Sequence, residues 1–194
     1  MRIISGNLKG KKLISPPDKK IRPTSDKIKE ALFNILNISY EDLKVLDIFA
    51  GSGSLGIEAL SRGAREVTFV ESSGKGFDVL KKNVYNCGLE DRARLIKGDV
   101  YNSINKMAKE KETFDLVLAD PPYEFGYLKK LLSARNFFSI VETEGLVVFE
   151  HSVNEKVFEN SRERILDFEI FEILKQKKYG STKLSIIKKR GDAS

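Results

Sequence analysis

The side chains with chemical potential fall into two groups. The first is in LVLADPPYEF, Leu116 to Phe125, where an apolar run suited to a buried strand breaks off at Asp120, Pro121, Pro122 and Tyr123. Proline has no N–H and a fixed φ, so the strand must stop there. A carboxylate, a stiff Pro-Pro backbone and an aromatic ring are left at its tip. The second group is in VLDIFAGSGSLGIEAL, which reads as a buried strand ending at Asp47, a turn containing Gly51 and Gly53, and a helix from near Leu55. Glycines let a backbone approach a ligand closely, and a helix start offers unpaired N–H groups. GSGSLG satisfies G-x-G-x-x-G, and Glu71 follows Gly51 by 20 residues, where a ribose-binding acid is expected. A nucleotide-like cofactor is implied, NAD among the options. However, a pyrophosphate needs the helix N-terminus, and an acid just before the glycines is unwelcome there. Asp47 suits a cationic or amine-bearing ligand better.

These residues need elements to place them. SDKIKEALFNIL spaces Ile28, Ala31, Leu32, Ile35 and Leu36 as one helix face, with Thr24 or Ser25 as cap. The chain then alternates strand and helix: KVLDIFA, LGIEALSRG, EVTFVE, GKGFDVLKKNVYNCG, RARLIKGD, VYNSINKMAKE, FDLVLAD, FGYLKKLLSA, GLVVFE. Such alternation predicts an open parallel α/β sheet. Its acids Asp47, Glu71 and Asp99 all fall at strand C-terminal ends, where such sheets bind ligands. DFEIFEILKQKKYGSTKLSIIKK reads as two adjoining strands turning near Gly180, an antiparallel closing hairpin. At the front, MRIISGNLKGKKLISPP reads as a short β-hairpin turning at Gly6 and Gly10, followed by a proline-rich linker.

The chain has 194 residues, 41% hydrophobic and 32% charged, enough for one domain with a full core. No apolar run approaches the roughly 20 residues that cross a bilayer, and the N-terminus lacks a signal-peptide core, so a cytoplasmic protein with no membrane association is expected. The single Cys87 and the single His151 leave too few ligands for structural zinc, and no metal is expected. Cys87 and His151 read as packing or surface residues. The net charge of +6 is uneven: residues 1–30 carry +6, residues 175–194 carry +6, and the segment between them −6. Basic ends on an acidic body suit a polyanion partner.

DIFAGSGSLG closely resembles motif I of the class I S-adenosylmethionine methyltransferases, and DPPY at the fourth strand resembles motif IV of the amino-methyltransferases. Taken in order, MRIISGNLKGKKL, RPTSDKIKEALFNIL, DIFAGSGSLGIEALSRGA, ADPPY and YGSTKLSII resemble the RsmD family of bacterial 16S rRNA guanine-N2 methyltransferases over nearly the whole chain. The resemblance implies a Rossmann-like α/β class I methyltransferase fold: a mostly parallel seven-stranded sheet, an antiparallel C-terminal hairpin and a small N-terminal β-hairpin. Residues 1–22 would form the basic hairpin and linker, and residues 23–190 the methyltransferase domain. It implies S-adenosylmethionine as cofactor, contacted by Asp47, Phe49, Gly51, Gly53, Leu55, Glu71, Ser72, Asp99, Val100 and Asp120. Asp47 would organise the site around the methionine amino group, Glu71 would hold the ribose hydroxyls and Asp99 would reach the adenine amine. The chain departs from the family at VESSGKG, where a second acid or polar residue often follows the ribose acid; Gly74 and Gly76 read as a loose helix start. Catalysis would fall to Asp120, Pro121, Pro122 and Tyr123: a carboxylate and a carbonyl accept from a nucleobase amine, and an aromatic ring stacks on a base taken out of its helix. The implied partner is 16S rRNA, within the 30S subunit or an assembly intermediate, met by a monomer. Lys9, Lys11, Lys12, Arg22, Thr24 and Lys183 are the candidate RNA contacts. The competing readings are a DNA adenine-N6 or cytosine-N4 enzyme, a protein-glutamine methyltransferase, and a non-catalytic RNA-binding module.

Overall fold

The computed structural model describes residues 1–15, 26–122, 126–155 and 170–191. Arg22, Thr24, Tyr123 and most of the proline-rich linker lie outside them. Two compact units divide the chain, Met1–Val100 and Tyr101–Ser194. In the first, α1 (Asp26–Leu36) precedes β1 (Lys44–Ile48), α2 (Ser54–Ser61), β2 (Glu66–Glu71), α3 (Gly74–Cys87) and β3 (Ala93–Lys97). Its strands lie in the order β3-β2-β1, and both pairs are parallel. β1 and β2 are short and buried on both faces, as β-αβ crossovers require, whereas β3 at the sheet edge is half-buried to exposed. α4 (Val100–Lys109) leads into the second unit, which continues with β4 (Phe114–Ala119), α5 (Tyr127–Leu132), α6 (Arg135–Ser139), β5 (Val141–Ser152), β6 (Phe171–Tyr179) and β7 (Thr182–Lys189). Here β4 and β5 are parallel, and β7 lies antiparallel between β5 and β6. Gly180, at φ 60°, makes the hairpin turn. Seven strands thus give a mixed sheet with an antiparallel C-terminal hairpin, as expected. The sequence reading missed α6, a single short turn of helix.

The helical face of α1 differs from the expected one. Leu32 and Leu36 are buried, but so are Phe33 and Lys29, while Ile28, Ala31 and Ile35 are only half-buried. The cause is electrostatic. The Lys29 side chain is fully enclosed, its Nζ donating to the Arg2 carbonyl (2.7 Å) and to Ser54 Oγ (3.0 Å), with Glu58 Oε2 at 3.6 Å. Glu58, also without exposed surface, accepts from the Ile4 N–H (2.8 Å), the Ser5 N–H (3.0 Å) and Arg62 Nε (2.9 Å). Burial holds the Lys29 ammonium below its usual pKa although Glu58 pulls the other way.

The N-terminal segment is therefore fastened along α2. Its expected hairpin narrows to one antiparallel bridge, Arg2 with Lys12, flanked by bonds from Ile3 N–H to the Lys11 carbonyl and from Gly10 N–H to the Ile3 carbonyl. Asn7 N–H donates to the Ser61 carbonyl and Leu8 N–H to Ser61 Oγ. Gly6 sits at φ +80°, where a Cβ would lie 1.8 Å from the Ser61 carbonyl oxygen, so no other residue fits there. Replacing Glu58 with Leu leaves Lys29 buried and unpaired and strands two backbone donors, so urea unfolding should record a loss of about 3–5 kcal/mol. Lys29→Met should cost clearly less, because Arg62 and both N–H groups still satisfy the carboxylate. Equal costs would mean the arm does not depend on that carboxylate.

Candidate active site

The glycine turn between β1 and α2 is held from several sides. Asp47 is buried, and its Oδ2 accepts from the Gly56 N–H at 2.9 Å, within the first turn of α2. The positive end of that helix already faces a carboxylate, which disfavours an incoming phosphate. Phe49 is half-buried at φ 62°, and Gly51 follows at φ +54° with no neighbour closer than 3.9 Å to a would-be Cβ. Gly53 is different: at φ +79° its Cβ would fall 2.4 Å from Leu80 Cδ1. Gly56 likewise lets α2 lie against β2, since a Cβ there would meet the Phe69 ring at 2.3 Å. Of the three glycines, only Gly51 faces open space.

Glu71 closes the turn. Its Oε2 accepts from the Gly51 N–H (2.7 Å) and its Oε1 from the Ser73 N–H (2.6 Å). Gly76 is where sequence reading erred. The start of α3 is not loose, because Ser73 caps it, with Oγ accepting from the Gly76 N–H at 3.2 Å. A Cβ at Gly76 would lie 3.0 Å from the Glu71 carboxyl carbon, so the glycine makes room for that carboxylate. Ser72 is exposed, Leu55 and Val100 are buried, and Asp99 is exposed immediately before α4. The structure thus brings Glu71 onto the glycine turn and Asp47 onto the helix behind it, with Asp99 beyond the end of the neighbouring strand β3.

In the second unit, Asp120 is half-buried in the first position after β4, Pro121 is buried and Pro122 exposed. Two aromatic residues of this unit were not foreseen. Tyr101 and Tyr127, each in the first turn of its helix, stack with ring centroids 6.5 Å apart, and Tyr101 Oη donates to the Tyr127 carbonyl at 3.3 Å. Lys130 Nζ lies 3.9 Å from the Tyr101 ring centroid. Of the candidate RNA contacts, Lys9, Lys11 and Lys12 are exposed on the N-terminal arm, whereas Lys183 is half-buried in β7. Lys175, Lys177 and Lys178 on the edge strand β6 are more accessible. Cys87 is buried, and burial pushes its thiol pKa up, as suits a packing residue.

Two carboxylates stand at the turn, Glu71 upon it and Asp47 on the helix behind it. Each Glu71 oxygen holds a single backbone N–H and keeps acceptor capacity for a hydroxyl. Asp47 supplies negative rather than positive potential beside the turn. The E. coli structure described as "Putative methyltransferase yhhF" superposes with a TM-score of 0.80, at 28% identity over 98% of both chains. The fold is that of the class I S-adenosylmethionine-dependent methyltransferases.

The family described as Conserved hypothetical protein 95 matches residues 1–188, and the chain belongs to it. Two relatives place it among RsmD-like proteins. The Bacillus subtilis "Putative rRNA methyltransferase YlbH" is 35% identical over 98% of this chain and all of its own length. The Escherichia coli K12 "Ribosomal RNA small subunit methyltransferase D" is 34% identical over 79% of this chain and 75% of its own. Gly76→Ala tests the geometry around Glu71 directly. At 3.0 Å from the carboxyl carbon the added methyl forces the carboxylate to give way and should weaken its bonds to the Gly51 and Ser73 N–H groups, while alanine in the helix gains about 1 kcal/mol over glycine. Hydrogen exchange at the Gly51 amide should therefore quicken whatever the unfolding midpoint, and an unchanged Gly51 exchange rate would mean Glu71 does not hold the turn.

Proposed function

We propose that this chain transfers a methyl group from S-adenosylmethionine to the exocyclic N2 amine of a specific guanine in 16S rRNA of the small ribosomal subunit. The observation that carries the acceptor side is the half-buried carboxylate of Asp120, set at the end of β4 and locked by two prolines. An exocyclic amine is a poor nucleophile because its lone pair is delocalised into the ring. Asp120 and the Pro121 carbonyl accept its two N–H groups, favour a pyramidal nitrogen and fix its direction; the stiff Pro-Pro backbone keeps the second acceptor in place. Tyr123 stacks on the extruded base. When bound, S-adenosylmethionine supplies a methyl already made electrophilic by its sulfonium. Asp47 holds the amino group of the methionine portion, Glu71 the ribose hydroxyls and Asp99 the adenine amine. The surplus proton of the methylated amine leaves through the Asp120 carboxylate to water.

Small-subunit rRNA is favoured by the E. coli relative's name and by the exposed lysines of the N-terminal arm and β6. A DNA or protein-glutamine amino-methyltransferase would use the same acceptor chemistry and is the second reading. Labelled S-adenosylmethionine offered in parallel with 30S particles, naked 16S rRNA, DNA and release factor separates the two. Label should enter rRNA, on guanine N2, and label confined to DNA or protein overturns the assignment. Asp120→Ala should still bind S-adenosylhomocysteine in calorimetry yet lose about 10²–10³-fold in turnover, as when an oriented polar group is removed from a reacting centre. Normal turnover would remove Asp120 from the acceptor role.

The arm gives a separate measurement. If Lys9, Lys11 and Lys12 each neutralise a phosphate, replacing all three with alanine should reduce the slope of log K against log salt for rRNA binding by about 2. A weakened complex with an unchanged slope would move the phosphate contacts elsewhere.

A further inference from the structure

Asn83 lies in the buried face of α3, 1% exposed, and its carboxamide makes three hydrogen bonds. Oδ1 accepts from the Ile14 N–H at 2.8 Å, and Nδ2 donates to the Ile14 carbonyl at 3.0 Å. This two-way exchange pairs the side chain with a single backbone residue, as a neighbouring strand would. The other Nδ2 hydrogen reaches the Ser52 carbonyl at 2.9 Å. Ser52 stands between Gly51 and Gly53, both in the left-handed region. A stretch flanked by two glycines has little conformational preference of its own and is ordered by what it bonds to. Gly51 is held by Glu71 and Gly53 N–H by the Ala50 carbonyl, and Asn83 holds the peptide between them. The N-terminal arm touches the same residue again, where Ser52 Oγ meets Met1 Sδ at 3.7 Å.

We propose that Asn83 is a positioning residue for the cofactor turn, and that through it the seating of the N-terminal arm and the closing of the glycine turn are one event. The amide orientation that serves the Ser52 carbonyl is the one that pairs with Ile14. If the arm lifts, two of the three partners go with it, and nothing fixes the amide toward the turn. The segment carrying Lys9, Lys11 and Lys12 is thereby coupled to cofactor affinity. By linkage the coupling runs both ways, so cofactor binding tightens the arm. This rests on the reading that the glycine turn holds the cofactor.

The test separates the two. Asn83→Leu, close in volume but without polar atoms, and Asn83→Asp, which keeps only the acceptor for the Ile14 N–H, should each weaken S-adenosylhomocysteine binding about ten-fold in calorimetry, as for loss of one buried hydrogen bond. KM for S-adenosylmethionine should rise in parallel, with kcat at saturation within about two-fold of wild type if only the turn's resting order is affected. Val84→Ala, on the same buried face but without a bond to the turn, loosens α3 packing and should leave that affinity unchanged. Folded Asn83 variants with wild-type affinity, or equal weakening in Val84→Ala, overturn the proposal. Hydrogen exchange on the wild-type protein needs no variant: adding S-adenosylhomocysteine should slow exchange at both the Gly51 and the Ile14 amides. Protection at Gly51 without protection at Ile14 overturns the coupling alone. Protection at neither, or tight binding by Asp47→Ala, overturns the cofactor assignment of the turn and the proposal with it.

Discussion

A single enclosed carboxylate organises the first unit. Glu58 sits in a helix whose eight residues are all buried, and an unpaired charge there would be prohibitively costly. Arg62 folds back along its own helix to meet it, Lys29 turns inward from α1 as its counter-charge, and the N-terminal arm presents two consecutive N–H groups. Three separate stretches of chain therefore meet at one group. A buried ion pair adds little net stability over an apolar pair, yet breaking one is expensive, so this arrangement acts mainly as a specificity device. Its practical result is that the arm cannot leave α2 without taking two N–H donors from the buried carboxylate. The same helix begins at the glycine turn, which ties the arm's position to that of the turn.

The polar groups around the turn show a consistent pattern. Asp47 and Glu71 both accept backbone N–H groups before any ligand is considered. Such bonds pre-organise carboxylates by fixing their direction. Asp47 at the helix start also explains why a dinucleotide fingerprint can be present as text without a phosphate site: the N–H that would greet the phosphate is already bonded to Asp47. The three glycines of GSGSLG serve different ends, Gly51 for open space and Gly53 and Gly56 for close packing against Leu80 and Phe69.

Much of this was legible in the sequence, because it depended on local rules. Strand ends marked by acids and a hairpin at Gly180 follow from backbone preferences and periodicity. What escaped is tertiary. Lys29 lies among charged neighbours in SDKIKEALFNIL and looks like part of a solvated face; only the distant Glu58 draws it in. A signal did exist, since Glu58 is the lone charge in LGIEAL, an otherwise apolar helix, and a charge so placed needs a partner. Asn83 in KKNVYN carries no such mark. Gly76 was misread because a glycine near a helix start suggests looseness, whereas here it accommodates a side chain five residues back.

His151 shows how far the interior is committed to holding geometry. Expected as a surface or packing residue, it has no exposed surface and occupies the penultimate position of β5. Nδ1 lies 3.0 Å from the Ser152 carbonyl, which can only accept, so the hydrogen-bond network assigns the ring proton to Nδ1. Nε2, 2.8 Å from Ser185 Oγ, then takes the hydroxyl proton, and Gln176 Nε2 donates to that same Oγ at 2.9 Å. The lone pair that a general base would use is occupied, and the network instead binds β5, β7 and β6 side to side. Methyl transfer from a sulfonium needs no base before the transfer step. A chain built for it can commit its buried histidine, asparagine and carboxylates to fixing backbone, because what the reaction demands is an amine and a methyl group held in line.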